Sequence, residues 1–314
     1  MYKIVSGILL NSFCLFLAFE TNAQQFKIIS AEDGVALPFA TLINFTHPII
    51  VSANANGIAE LNAKNGDSIV VSYVGFKSNS FVFNSNSNQT VRLIKAIEIL
   101  PPVLVQNCKK MKSFTYRNKN AVKFITKENG VRTDNAGLVW YKEFNVSTYA
   151  IKLNPEKENA ILNGFSFWLE KPYLGPATAI KVPIVINFYE VNDSTLPGNS
   201  ITENPLLYYP QKTGKQILNL DSLHIRIPPN GIYVSFQCVM NEEYEWKETF
   251  HFSDSANRIY TGYGGRIEGL FTENLELVAF YPLKNKWIFV KSNNNPKGLN
   301  GTIKYEAFIK YCED

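Results

Sequence analysis

Between Phe26 and Ala96 the chain alternates apolar and polar positions in short runs divided by turn residues. In "GDSIVVSYVGFKSNSFVF", residues 66–83, Ile69, Val71 and Tyr73 fall on one face and Val70, Ser72 and Val74 on the other. That is the period of two expected of a strand. Gly75 interrupts the run, and Phe76 is expected to pack back onto the core. The runs "QFKIISA", "EDGVALPFATLINF", "IIVS", "IAELNA" and "TVRLIKA" read the same way. Asn56-Gly57 and Asn65-Gly66 tolerate positive φ and suit tight hairpins between such strands. About seven strands in some 70 residues predict a small antiparallel sandwich. A unit of that size buries only about 60% of its unfolded surface, so it is expected to lean on a neighbour.

From Asp134 to Asp314 the pattern is again β. "AILNGFSFWLE", "IKVPIVINFYEVN", "KQILNLD", "LHIRI", "GIYVSFQCVM", "NLELVAFY", "KWIFVK" and "TIKYEAFIKY" are rich in β-branched and aromatic residues. Some alternate, and others are apolar on both faces, as in a sandwich core. Pro197-Gly198, Pro228-Pro229-Asn230-Gly231 and Gly264-Gly265 mark joining segments. No helix longer than two turns is expected. Eight or more strands predict a second, larger, jelly-roll-like sandwich. Residues 107–132 between the halves hold eight Lys or Arg and one Glu. They read as a solvated linker or as a basic segment for an anionic envelope surface.

Composition narrows the class. The chain has 314 residues, enough for two domains, and a formal charge of +4, too small to imply nucleic acid. Charged residues make up 18%, below the usual quarter, and Asn, Ser and Thr supply the remaining polarity. Met1–Ala23 reads as a secretory signal: Lys3, an apolar core from Ile4 to Phe19, then "TNAQQ". A retained membrane anchor is the alternative. Cys14 follows bulky Phe13, whereas a lipidated cysteine follows a small residue. No later segment is apolar for 18 residues, so no transmembrane span is expected once the signal is removed. Export to the periplasm, outer membrane or cell surface would expose Cys108, Cys238 and Cys312 to oxidation. Cys238 shares a face with Ile232, Val234 and Phe236 and reads as a small core residue. Cys108 and Cys312 can pair, but spacing does not fix connectivity. The expected organisation is a signal at 1–23, a small sandwich at 24–96, a basic connector at 97–133 and a large sandwich at 134–314.

Three stretches of the first module carry a resemblance. "GVALPFATLIN", "ANANGIAEL" and "GDSIVVSYVGF" are similar to the carboxypeptidase-regulatory-like domain, a transthyretin-like sandwich common in exported proteins of Bacteroidota. Gly34, Leu37, Pro38 and Ala40 match its opening pattern, Gly57 its turn, and Ser72, Gly75 and Phe76 its close. The resemblance spans about 75 residues and implies a Greek-key sandwich acting as an accessory or docking module. Such domains accompany some peptidases and precede the plug of outer-membrane transporters. Here about 180 residues follow the connector, too few for a large transporter barrel. "INFYEVNDSTLPGNSI" and "LNLDSLHIRIPPNGIYVSFQCV" resemble, more loosely, the region that follows this domain in a set of such proteins. That region has no assigned chemistry to carry over.

Catalytic and metal signatures are missing from the sequence. There is no HxxE, HExxH, CxxC or G-x-S-x-G motif. His47, His224 and His251 lie far apart without local partners, though a triad or metal set need not be sequential. Glu242, Glu243, Glu245 and Glu248 could offer oxygens to calcium, but the Asp/Asn alternation and central Gly of a calcium loop are lacking; a solvated loop is the alternative. Tyr244, Trp246, Tyr260 and Tyr263 fall near predicted loops. Their flat rings could stack on sugars, or could be ordinary sandwich core. The expectation is an all-β, exported envelope protein without catalysis, cofactor or metal. It would bind an envelope protein through its sandwiches, or alternatively a polysaccharide through those four aromatics. The resemblance alone suggests a peptidase-associated role.

Overall fold

The computed structural model describes residues 23–95, 110–118, 121, 126–128, 131–133, 137–172, 175–202, 204–251, 257–272, 276–290 and 300–313, with backbone alone for 126–128, 131–133 and 250–251. The expected signal, apart from Ala23, and most of the connector lie outside these residues. The described chain is all-β, and its helical pieces are 3-10 segments of three to five residues.

The first module has seven strands in two sheets. Gln24–Ser30 is the centre of a three-stranded sheet, antiparallel to Ile58–Leu61 and parallel to Thr90–Leu93. The parallel pair departs from the expected all-antiparallel sandwich. Ile49–Ser52, Thr41–Asn44, Ser68–Ser72 and Asn79–Val82 form the second sheet in that order. Phe26, Ile28, Leu42, Leu61, Ile69 and Val71, all fully buried, fill the space between them. Each such side chain contributes about 1.5–3 kcal/mol on leaving water. Gly75 turns the chain at φ +78° and Phe76 returns to the core, ring against Tyr73 at 5.5 Å.

The two Asn-Gly turns are not hairpins. Gly57 and Gly66 do sit at φ +72° and +97°. Yet each turn carries the chain from one sheet to the other: Ile49–Ser52 pairs with Thr41–Asn44, and Ile58–Leu61 pairs with Gln24–Ser30. Turn chemistry sets local φ, while the partner is set by which apolar face must be buried. Gly57 has a further constraint, since a Cβ there would lie 2.7 Å from the Ile28 carbonyl oxygen.

The second module is a larger sandwich. Its outer, nine-stranded sheet centres on Ala160–Glu170 and the 16-residue Asn257–Thr272. Its inner sheet runs Pro197–Ser200, Ile184–Val191, Ile232–Cys238, Thr148–Leu153, Leu277–Tyr281 and Lys286–Phe289. Phe165, Phe167, Phe188 and Phe236 are fully buried between them, and the Phe167 ring meets Phe236 edge-on at 5.2 Å. Cys238 is buried and free, as its alternation suggests.

Two expectations change here. Lys110–Tyr116, inside the expected connector, is an antiparallel partner of Tyr305–Glu313 in the outer sheet. Its alternation, with Phe114 and Tyr116 packed on the core, makes it an edge strand rather than linker. The "YTGYGG" segment lies inside Asn257–Thr272, not in a loop. Its glycines serve close approach. A Cβ on Gly262 would collide with the Trp246 indole, and one on Gly264, at φ +67°, would lie 2.5 Å from the Cys238 sulfur.

The modules are packed together. Phe39, Ile43 and Ile50 of the first join the core of the second. The Ser52 amide donates to the Met240 carbonyl at 2.8 Å, and the Met240 amide donates to the Ser52 hydroxyl at 3.2 Å. This is the neighbour that the small sandwich was expected to need. It also explains why "IVINFYEV" and "IYVSFQC" are apolar on both faces: the inner sheet is covered on one side by the outer sheet and on the other, in part, by the small module.

Candidate functional site

The inner sheet meets the small module across a cleft. Five inner strands place Val185, Gln237, Thr148, Phe280 and Trp287 directly opposite one another in sequence across the sheet. Directly opposed residues of antiparallel strands project to the same face, so these five form one row. At about 4.8 Å per strand the row spans roughly 19 Å. The small module faces it with Phe39, Thr41, Ile43, Ser72 and Tyr73. The space enclosed is about 240 Å³.

The row is pinned at one point. Gln237 Nε2 donates to Thr41 Oγ1 at 2.9 Å, linking the modules. Beside it, Thr148 Oγ1 reaches Gln237 Oε1 only at 3.4 Å, longer than the 2.5–3.0 Å usual for O–H···O. Phe39 is buried at φ +62°, a conformation rare for an L residue with a large side chain. It is held there by the packing of both modules.

Rings line the cleft from both ends of the row. Trp287 meets Tyr189 edge-on at 5.8 Å and Phe280 at 5.3 Å. These three and Tyr73 are half-buried. The described lining includes no carboxylate, imidazole, thiol, ammonium or guanidinium. Burial pushes the Tyr73 and Tyr189 hydroxyls above their ordinary range, so both stay neutral at physiological pH. Two other depressions differ in this respect. One of about 250 Å³ carries Glu60, Glu242 and Glu243, and one of about 490 Å³ carries Glu170, Lys171, Arg266 and Glu268.

The four aromatics singled out in the sequence lie elsewhere. Trp246 and Tyr260 share one face of the paired strands Glu245–His251 and Asn257–Thr272, while Tyr263 points to the other. Trp246 is 5% exposed: its indole lies over Gly262, its Nε1–H donates to the Gly264 carbonyl at 3.2 Å, and its ring meets Tyr141 at 5.8 Å. Tyr263 is 2% exposed, with its hydroxyl donating to Glu245 at 2.7 Å. Neither ring has a face open to a ligand. Tyr260 and Tyr244 are half-buried, the first against Tyr141 and the second against the main core. The four rings therefore do not converge: Trp246 and Tyr260 pack together, Tyr263 and Tyr244 join the main core, and Tyr260 and Tyr263, beside glycines in sequence, lie in a strand rather than a loop.

The acidic group also divides. Glu242 and Glu243 are exposed on a 3-10 turn, as a solvated loop would have them. Glu248 is 2% exposed and accepts from the Tyr141 hydroxyl at 2.6 Å. Burial, then the bond to Glu248, pushes the Tyr141 hydroxyl well up. Among the described residues no group of three His, Cys, Asp or Glu is arranged to hold a metal ion.

His47 does have a partner, which the sequence reading missed. Asp67, 3% exposed, lies 3.0 Å from His47 Nδ1 and accepts from Asn44 Nδ2 at 2.7 Å and the Lys64 amide at 2.9 Å. The cluster ties the turn before Ser68–Ser72 to Thr41–Asn44. His224 is bonded to its own turn, and His251 ends a strand of the outer sheet. The cleft rings were also missed. Their signal is the double-faced apolar pattern of the inner strands, which requires a second cover and hence an interface.

No protein-family model and no curated protein matches the chain. Similar solved structures include the clostridial cysteine protease Cwp84 after propeptide cleavage, at 9% identity and TM-score 0.35, covering 93% of this chain and 71% of that one. A structure of the cysteine protease and lectin-like domains of Cwp84, a surface layer associated protein of Clostridium difficile, matches at 9% identity and TM-score 0.35, covering 93% and 63%. The Gx strain of infectious bursal disease virus matches at 9% identity and TM-score 0.22, covering 92% and 60%. At these TM-scores the likenesses assign neither fold family nor activity.

Proposed function

We propose that the chain is a non-catalytic binding protein of the cell envelope, exported by its N-terminal segment. The small sandwich docks on the large one, and both line the recognition cleft. The observation that carries this reading is the cleft itself: four half-buried rings and several neutral hydrogen-bonding groups from both modules, with no carboxylate, imidazole, thiol or amine beside the hydroxyls to activate them. Such a lining suits binding rather than bond making. Disulfide bonding of Cys312 supports an oxidising compartment; Cys108 lies outside the described residues. Among the described residues no helix is long and apolar enough to cross a membrane.

The test is affinity capture. The tagged chain from Gln24 on is incubated with solubilised envelope of its own cell, and bound protein and bound polysaccharide are identified separately. Specific retention of one envelope component over a tag-only control is expected. Chelator-sensitive cleavage of peptides by the purified chain would overturn the non-catalytic reading.

A further inference from the structure

We infer that the interface cleft recognises one neutral sugar residue of a polysaccharide. This rests on the cleft being the recognition site, and adds the class of ligand. Charge comes first. An anionic or cationic group entering a lining of this composition would lose its hydration without gaining a counter-charge. The depression with Glu60, Glu242 and Glu243 and the one with Glu170, Lys171, Arg266 and Glu268 lack this property.

Shape and polarity come second. Trp287, Phe280 and Tyr189 present ring surface from the sheet, and Tyr73 presents it from the small module. Flat apolar rings suit the C–H faces of a pyranose. Gln237, Thr148, Thr41 and Ser72 lie in the same cleft, and amides and hydroxyls both donate and accept. A sugar offers the same mixture around its rim. A purely apolar ligand would match the rings and leave these groups with each other alone. Thr148 Oγ1, 3.2 Å from Ser147 Oγ and 3.4 Å from Gln237 Oε1, has a lone pair left to accept from a ligand hydroxyl.

Size comes third. About 240 Å³ is the share of about eight waters and lies below the roughly 300–1,000 Å³ of sites that enclose a drug-sized ligand. It suits one ring, with the rest of the chain outside. The rings and the Gln237–Thr41 link line the same cleft, so the sugar would stack on the first and bond the second.

The experiment is titration calorimetry of the chain from Gln24 to Asp314 with neutral cello-, xylo-, manno- and chito-oligosaccharides, and with polygalacturonate as an anionic counterpart. At least one neutral oligosaccharide should bind and polygalacturonate should not. Trp287→Ala should weaken binding at least about tenfold, and Trp287→Phe, which keeps a ring, by less. Thr148→Val, nearly isosteric, should weaken it several-fold while leaving thermal unfolding near that of the parent. Absence of binding to every neutral oligosaccharide at millimolar concentration overturns the assignment. So does binding that Trp287→Phe and Thr148→Val, both folded, leave unchanged. If the sugars fail but Trp287→Ala abolishes capture of an envelope protein, the sugar assignment falls and the cleft stands. If capture is also unaffected, both fall.

Discussion

Replacing Trp246 by Ala distinguishes a buried structural ring from a ligand platform. The side chain is 5% exposed, lies over Gly262, and contacts the ring of Tyr141. Truncation removes the transfer free energy of an indole and leaves a cavity that paired strands cannot collapse into, for a cost of about 3–5 kcal/mol. The lost Nε1–H bond to Gly264 is about 1 kcal/mol of that. Against a typical total of about 5–15 kcal/mol this is a large fraction. For a domain of this size it corresponds to a fall in melting temperature of roughly 6–20 °C. Urea unfolding followed by circular dichroism gives the free energy, and differential scanning calorimetry gives the temperature. A ligand platform would lose binding with stability unchanged. A loss of stability below about 1 kcal/mol would therefore refute the packing argument.

Three further outcomes follow from the geometry. Burial alone would raise the Asp67 carboxyl, but bonds from the Lys64 amide, Asn44 and His47 overcome it and hold the group below its ordinary value. Its contribution is thus full above the unfolded value near 4 and is lost as pH falls through the lower folded value; Asp67→Asn should cost about 1–3 kcal/mol at neutral pH and flatten the acid limb of the stability curve, and an unchanged limb would contradict this. Burial pushes the Cys238 thiol well up, so it should resist a thiol reagent in the native chain and react once guanidinium unfolds it; labelling of the native chain would contradict its placement. Gly57→Ala adds a left-handed penalty to a clash with the Ile28 carbonyl and should cost about 2–4 kcal/mol in urea unfolding, with a change under about 0.5 kcal/mol counting against the close approach.

Much of the strand content was legible because alternation and turn residues are local signals. "AILNGFSFWLE" coincides with the strand Ala160–Glu170, and the Ile69/Val71 face is buried as the period predicts. Pairing was not legible. Asn56-Gly57 has hairpin chemistry but bridges two sheets, because the partner of a strand depends on residues distant in sequence. Glycines in "YTGYGG" read as breakers, and only the position of Trp246 and Cys238 across from them shows that they make room within a strand. The cleft was least legible of all. Its row of Val185, Gln237, Thr148, Phe280 and Trp287 is assembled from five strands, and only Phe280 and Trp287, on consecutive strands, are close in sequence. The double-faced apolar pattern of Ile184–Val191 and Ile232–Cys238 indicated a second cover without saying which segment supplies it.

The most direct measurement compares envelope capture by the parent chain and by Trp287→Ala, with circular dichroism confirming that both are folded. If the interface cleft is the recognition site, the parent retains a specific envelope component and the variant loses it. Equal retention by the two, or none by the parent above a tag-only control, would contradict the account.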